Sequence, residues 1–561
     1  MIKSYIMNYS KELIDSLVPD TGLFVSDLEV KFPKRSLEEG SKVTRFAPSP
    51  TGFLHIGGVF TSLVSERTAH QSGGVFLLRL EDTDDKREEV GAEDLILEGL
   101  KHFGINYDEG ITKDGEDGAY GPYKQSERRE IYATCVRHLL EKGLAYPCFC
   151  TPEDLDQNRK IQETEKVRTG YYGKWATCRN LSEEIINEKI KNGEGFVIRM
   201  KSLGTHENQS EFKDEVKGKV KITENDRDEV VLKRNGLPTY HFAHVVDDHF
   251  MRTTDVIRAD EWLPSLPTHI ELFSHMGFTL PRYAHISPIM KLDEGNKRKL
   301  SKRKDPEASV SYYMERGFPV EAVMEYLINI GNSSFEPWKK ENNEKDFTYF
   351  PFEISKMSKS GALFDMKKLE FVAKEVLARY DTDKFFELFI TWAEKYNKEV
   401  ADIFNKDIGY SKKIFGIERG GEKSRKDFAS FDEVFHLTKY FFPDLFDQEI
   451  ESLDNLGIFE DKKEIAKEIL SENIDKIADT SVSKDDWMLE MREIASKYGF
   501  ARDVKTFKEN PDNFKGQFGD FAMILRKAIT LRANTPDLFS IIETIGAEET
   551  KRRIKKVTSL I

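Results

Sequence analysis

The sequence predicts an α/β domain with a parallel sheet, split by an inserted segment and followed by an all-helical half. Three observations carry this expectation. A short strand beginning "KVTRF" is stopped by Pro48 and Pro50; a glycine-bearing turn then leads into "VFTSLVSERTAHQSG", with Phe60, Leu63, Val64 and Arg67 at helical spacing. The next run, "GVFLLRLED" (74–82), reads as a buried strand, and strand–helix–strand is the unit of a parallel sheet. After about residue 305 the pattern turns helical, as in "TPDLFSIIETIG" (535–546), where Thr535 reads as N-cap, Pro536 as first turn and Gly546 as stop.

The remaining elements come in order. Residues 1–41 read as a peripheral appendage with one weak helix near Lys11–Leu17. Residues 122–234 are irregular and rich in Lys and Glu, and they end in two β-like runs joined at Asn235-Gly236, a strong hairpin signal. "DVIRADEWLPSLPTHIELFSHMGF" (255–278) reads as a strand end and a helix from about Leu266, and "RYAHISPIM" (282–290) as another strand.

The chain has 561 residues, so several domains are expected. No apolar run approaches the roughly 18 residues of a membrane span, and "MIKSYIMNYSKELIDSLVPD" lacks the pattern of a secretory signal. Four cysteines make no disulfide framework, which points to a reducing cytoplasm. The net charge of −14 argues against a nucleic-acid partner, but basic residues cluster: six of the eight in "KRKLSKRK" (297–304) are Lys or Arg. "KRRIKK" (551–556) reads as a solvated helix.

The chemistry concentrates in "RFAPSPTGFLHIGG" (45–58). Gly52, Gly57 and Gly58 let backbone approach a ligand, a helix N-terminus comes next, and His55 offers a ring N–H, together an arrangement for phosphate. Two Lys-Ser-Lys clusters compete as its partner, "KLSKR" (299–303) and "KMSKS" (356–360). Only the first comes directly after a strand of the α/β half, so it is the expected phosphate loop.

The string "PSPTGFLHIGG", succeeded in order by "RLEDTDDKR", "GPYKQSERREIY", "GLPTYHFAHVVDDHFMRTTDVIRADEWLPSLPTHIEL" and "KLSKRK", resembles the bacterial-type glutamyl-tRNA synthetases of class I. The resemblance implies a Rossmann-like catalytic domain in two pieces, 42–121 and 236–305, around an α+β connective, acceptor-binding domain at 122–235. A stem-contact helical domain (306–385) and an anticodon-binding helical domain (386–561) come after it, with 1–41 as an N-terminal extension. It implies glutamate–tRNA ligase activity: ATP-dependent formation of glutamyl-adenylate, with Mg²⁺, and transfer to the terminal adenosine of tRNA(Glu), by a cytoplasmic monomer with no membrane association.

Residue by residue, the resemblance makes His55, Lys299 and Lys302 catalytic. It places Gly57, Gly58, Glu261, Ile289, Met290, Leu300, Ser301 and Arg303, with those three, around ATP. Arg45 and Arg258 meet carboxylates of glutamate; Ala47, Pro48, Ser49 and Glu81 surround its ammonium; Tyr240, His244 and Trp262 complete the pocket. Position 58 is Gly where the "HIGH" form has a second histidine, which removes one phosphate donor. The acids at 82, 84, 85, 247 and 248 are read as structural. Some relatives bind structural zinc through three cysteines and a tyrosine, which here means Cys148, Cys150 and Cys178 with Tyr171 or Tyr172; idle thiols are the alternative. A single-domain nucleotidyltransferase and the tRNA-modifying paralogue both lack the helical half that this chain carries.

Overall fold

The computed structural model describes residues 9–50, 54–84, 91–301, 303–421, 424–452, 459 and 462–561. The chain divides into two compact units, Met1–Tyr312 with Met324–Asp365, and Tyr313–Val323 with Met366–Ile561.

In the first unit, Ser10 caps α1 (Lys11–Leu17), where the sequence predicts a helix, and α2 (Val25–Lys31) comes next. This segment is packed, not peripheral. Leu13, Ile14, Leu17, Leu28 and Phe32 are buried, and Arg35 grips Glu109 through two hydrogen bonds of 2.6 and 2.8 Å. Apolar positions three and four apart on short helices signal burial, and here they outweigh the segment's terminal place in the chain.

The sheet begins at β1 (Val43–Phe46), and α3 (Ile56–His70) returns the chain to β2 (Val75–Leu78), parallel to β1. After α4 (Ala92–His102), β3 (Glu109–Thr112) pairs parallel with β2, and β4 (Gly115–Asp117) closes that edge antiparallel. The insertion supplies α5 (Arg129–Glu141), β5 (Ala145–Cys148), α6 (Pro152–Thr164), α7 (Glu183–Lys191), β6 (Val197–Met200), β7 (Gln209–Asp214), β8 (Gly218–Thr223) and β9 (Val230–Leu232). Strands β5, β6 and β9 form one small antiparallel sheet and β7–β8 a hairpin.

The run after Asn235-Gly236 is helix α8 (Tyr240–Phe250), not the second strand the sequence suggests. The turn forms, with Gly236 at φ 77°, but pairing ends after one bridge between Leu232 and Pro238. Residues 242–248 of α8 are all buried, and an element that is buried all round shows no period by which helix and strand can be told apart.

The sheet resumes with β10 (Asp255–Ala259), α9 (Leu266–Met276) and β11 (Arg282–Ile286), β10 and β11 being parallel. The Thr254 N–H donates to the Val43 carbonyl at 2.9 Å, which lays β10 beside β1. Thus β1 has β2 on one side and β10 on the other, the switch point at whose carboxyl end open α/β sheets bind ligands. "RYAHISPIM" is broken at Pro288. Its end begins β12 (Met290–Asp293), which turns through Glu294 and Gly295, both at positive φ, into β13 (Asn296–Lys299).

The second unit is helical from Met366 to Leu560 around a phenylalanine core in which Phe385, Phe389, Phe404, Phe415 and Phe431 meet largely edge to face. The helix Leu538–Ile545 is capped by Asp537, which accepts from the Ser540 N–H at 2.9 Å; Thr535, the expected cap, instead accepts from Arg526. Gly546 stands at its end as expected. "KRRIKK" lies on a helix but is not simply solvated. Arg553 is fully buried and donates to the carbonyls of Tyr440 (2.7 Å) and Ile529 (3.0 Å), while Lys551 and Arg552 pair with Asp475 and Asp447.

Candidate active site

A cavity of about 1030 Å³ opens at the carboxyl ends of β1, β2, β10 and β11. The residues just beyond each strand form its walls. Arg45, Ala47, Pro48 and Ser49 come from β1, and Glu81 and Thr83 from β2; Arg258, Glu261 and Trp262 come from β10, and Ser287 and Ile289 from β11.

On one side stands the N-terminus of α3. His55 is its N-cap, and its Nδ1 accepts from the Gly58 N–H at 3.1 Å, so the neutral ring carries its proton on Nε2. Gly57 is required there, since a Cβ would come within 2.9 Å of the imidazole. Opposite, Lys299, Leu300 and Ser301 continue from β13 along the wall. Lys299 Nζ pairs with Glu261 Oε2 at 2.6 Å, both half exposed. Such a pair is worth at most about 1 kcal/mol, so Lys299 can exchange it for phosphate at little cost.

The deeper end is charged and dry. Asp248 accepts from Arg45 Nε at 3.1 Å and from Arg79 at 2.7 Å; Asp247 accepts from Arg128 at 2.7 Å, from the Tyr132 hydroxyl at 2.8 Å and from Gln125 at 2.9 Å. Burial opposes the charge on Arg79, but Asp248, Asp247 and Glu81 outweigh it and hold the guanidinium charged. Burial likewise disfavours ionised Asp248, and Arg45 and Arg79 more than offset it. Glu81, although 3.2 Å from Arg79, is raised above the ordinary carboxylate range by burial. Arg258 is buried beside the cavity, and among the described residues no carboxylate pairs with it. Its partners are His285, His269 and the Trp262 carbonyl, at 3.0, 3.0 and 3.3 Å. Among the described residues, Arg45, Arg79 and Arg128 are bonded to Asp248 and Asp247, while Arg258, held by neutral partners, keeps a positive charge for an anionic ligand.

The expected residues thus converge, with exceptions. Lys302 lies outside the described residues, as do Gly52 and Asp85. His244 sits one layer behind the lining, 2.9 Å from the Tyr283 hydroxyl, with its ring stacked against Tyr240. Met290 pairs through its backbone with Ala362 (2.9 Å) and Phe364 (2.7 Å), and Arg303 does not line the cavity. Tyr240 and Trp262 pack ring to ring at 4.4 Å. Of the acids read as structural, Asp247 and Asp248 are bonded as above and Asp82 accepts from the Ser126 N–H and hydroxyl at 2.8 and 2.5 Å, whereas Asp84 lines the cavity.

Sequence reasoning missed Gln125 and Lys233, which also line the cavity. Gln125 lies within the quoted "GPYKQSERREIY". Asp247 fixes its amide nitrogen, leaving Oε1 buried without a partner. A polar residue bracketed by Lys and Ser carries no sequence mark of burial.

The second Lys-Ser-Lys cluster contributes nothing to the lining. Lys356 pairs with Glu353, and the Lys359 carbonyl accepts from Lys217 Nζ (2.8 Å) and the Ser287 hydroxyl (2.9 Å).

In the insertion, the thiols of Cys148, Cys150 and Cys178 converge, their sulfurs within 4.8 Å of one another. The Tyr171 hydroxyl lies 3.4 Å from Cys148 Sγ and 3.3 Å from Cys150 Sγ, whereas that of Tyr172 donates to the Arg168 carbonyl. Hydrogen bonds from Cys150 and Cys178 push Cys148 toward thiolate.

Residues 42–371 match the family described as "tRNA synthetases class I (E and Q), catalytic domain", and residues 384–558 match the "Anticodon binding domain". The chain is 50% identical over 525 residues to a glutamate–tRNA ligase of Clostridium perfringens (strain 13 / Type A), covering 93% of this chain and 96% of that protein. It is 46% identical over 552 residues to one of Acetivibrio thermocellus, covering 98% and 100%. A crystal structure of a glutamate tRNA ligase from Elizabethkingia meningosepticum, in complex with its amino acid, superposes with a TM-score of 0.74 at 30% identity, covering 93% of this chain and 100% of that one. Fold, cavity and relatives agree, and the chain belongs to the class I tRNA synthetases for E and Q, with the catalytic and anticodon-binding domains of that family.

Proposed function

We infer that this protein is a glutamate–tRNA ligase. It joins L-glutamate to ATP as glutamyl-adenylate and passes the glutamyl group to the 3′-terminal adenosine of tRNA(Glu). The single observation that carries this reading is one cavity with a phosphate end and a dicarboxylate end. His55 and the α3 N-terminus face Lys299–Ser301 at the first; Arg45, Arg258 and Glu81 form the second.

The chemistry needs little covalent help from protein. A carboxylate oxygen of glutamate attacks the α-phosphorus, the bond from that phosphorus to the α,β-bridging oxygen breaks, and pyrophosphate leaves with the electron pair. The ribose hydroxyl of tRNA then attacks the acyl carbon, and AMP leaves. Two anions must first be brought together, which is alignment and charge stabilisation. Arg258 and Arg45 grip carboxylates with planar forks, and Glu81 takes the ammonium. His55 and Lys299, with Lys302, stabilise charge growing on the phosphates. Mg²⁺ would come in with ATP and supply charge neutralisation to its phosphates; Asp82, Asp247 and Asp248 are already bonded to protein, and Asp84 is the acid that lines the cavity.

The three cysteines with Tyr171 fit a structural zinc centre of four ligands. The second unit holds a cavity of about 590 Å³ lined by Arg419, Arg425, His436 and Tyr440, a place where an RNA base can dock. Among the described residues no helix is long and apolar enough to cross a membrane. The reading is of a cytoplasmic monomer.

Glutamate-dependent exchange of pyrophosphate into ATP, together with charging of tRNA, tests the reading. Lys302→Ala abolishes exchange and Lys359→Ala leaves it intact; the reverse pair of results overturns the assignment of the phosphate loop.

A further inference from the structure

Behind Arg258 runs an unbroken row of hydrogen bonds. Asp214 Oδ2 lies 2.6 Å from His285 Nδ1, and His285 Nε2 accepts from Arg258 Nε at 3.0 Å. On the other side Arg258 donates to His269 Nδ1 at 3.0 Å, and His269 Nε2 lies 3.0 Å from His241 Nδ1. Because a guanidinium only donates, the nitrogens facing it must be bare. His285 is therefore the Nδ1–H tautomer, donating to Asp214, and His269 the Nε2–H tautomer, donating to His241. Both rings are fully buried. Neither can take up a second proton without setting two donors face to face across Arg258.

We propose that His269 and His285 are positioning residues for glutamate recognition, which hold Arg258 by neutral acceptors so that its charge remains available to a substrate carboxylate. This rests on the function inferred above and extends it. A carboxylate in either place would orient the guanidinium equally well, but it would neutralise the group and compete with the substrate. Imidazole orients without competing, and it fails when protonated.

The surroundings keep both rings neutral at ordinary pH. Facing His269 are Arg258, His241 and His244, with Tyr240 at its edge and Asp248 more distant; facing His285 are Arg258, Asp214, Asp260 and Tyr283. Burial lowers both histidines, and Arg258 adds to it. The acids opposing it at His285, Asp214 and Asp260, do not outweigh burial.

The experiment is the KM for L-glutamate and for ATP in pyrophosphate exchange, measured from about pH 8 down to about pH 5.5, across the histidine range, with thermal melts alongside. In the wild type both rings stay neutral across this window, so KM for glutamate, like KM for ATP, stays flat. His269→Glu places an anion against Arg258 and raises KM for glutamate about tenfold or more at pH 8, leaving KM for ATP unchanged. Glutamine reproduces a neutral imidazole's one acceptor and one donor without titrating. His269→Gln combined with His285→Gln therefore keeps KM for glutamate within about twofold of the wild-type value across the window. A Glu variant that binds glutamate like wild type overturns the proposal. If the Glu variant does not fold, the Gln pair decides alone, and a KM for glutamate raised about tenfold or an equal loss of both substrates overturns it. Absence of glutamate-dependent exchange in the wild type would instead overturn the functional reading.

Discussion

Tyr171 and Tyr172 are neighbours in sequence and opposites in role. The first puts its phenol against two cysteine sulfurs; the second spends its own on the Arg168 carbonyl. The sequence offers both as a fourth ligand, because it carries residue types and not the direction in which each side chain leaves the backbone. The same limit hides the layer of His244, one helical turn from Tyr240, and the burial of Gln125. Charged residues in a shared string, such as Arg45, Glu81 and Arg258, are legible because their chemistry has few alternatives in that setting. At this scale the prediction concerns metal. Protein purified without chelator carries about one zinc per chain, and Tyr171→Phe weakens its retention about 10-fold or more in chelator competition. Metal-free wild-type protein with an unaltered melt would refute the centre.

The hairpin β12–β13 is not legible in the sequence as an element. In "MKLDEGNKRK" only Met290 and Leu292 are apolar, too few to announce two strands by alternation, and Glu294-Gly295 marks the turn. The hairpin is anchored at Met290, whose backbone pairs with Ala362 and Phe364 in the loop after "KMSKS". The second cluster therefore supports the strand that leads to the first, although its lysines do not face the cavity. Gly361 permits the approach: a Cβ there would stand 2.5 Å from Met290 Cγ and 2.6 Å from the Pro288 carbonyl. Gly361→Ala, at an overpacking cost of about 1–3 kcal/mol, displaces the base of the hairpin. The expected result in exchange kinetics is a KM for ATP raised about tenfold, with KM for glutamate changed much less. Equal effects on both, or none, would contradict this role for the loop.

For the whole molecule, the split sheet and the helical half are readable from ordered strings and a change of period. The packing that joins distant segments is not. Arg553 reaches the Tyr440 carbonyl across more than a hundred residues, and nothing in "KRRIKK" distinguishes a core arginine from a surface one. Buried histidines give the first unit a collective property. His244 and His269 are held well below the ordinary imidazole range by burial first, then by neighbouring cationic groups including Arg258. In the unfolded chain they protonate near pH 6.5, in the folded one they do not, so the unfolded state binds more protons as pH falls. Their stabilisation is complete above that point and is lost below it, at up to about 1.4 kcal/mol per pH unit for each fully buried ring. The depressed carboxylates Asp214 and Asp248 add their loss only below about pH 4. Thermal midpoints recorded from about pH 7.5 to 5.5 should decline across that window; a flat profile would count against neutral burial of these rings.

The β7–β8 hairpin belongs to the insertion, yet its turn docks on β11 through a bond from Glu215 N–H to the Tyr283 carbonyl at 2.9 Å. Asp214 at that turn buttresses the imidazole behind Arg258, and Lys217 clasps Asp260, Ser287 and the carbonyl of Lys359. An engineer trimming this enzyme to a minimal core would find that the inserted lobe cannot be excised as a detachable accessory, because its tip shores up Arg258 and Ser287 in the cavity wall.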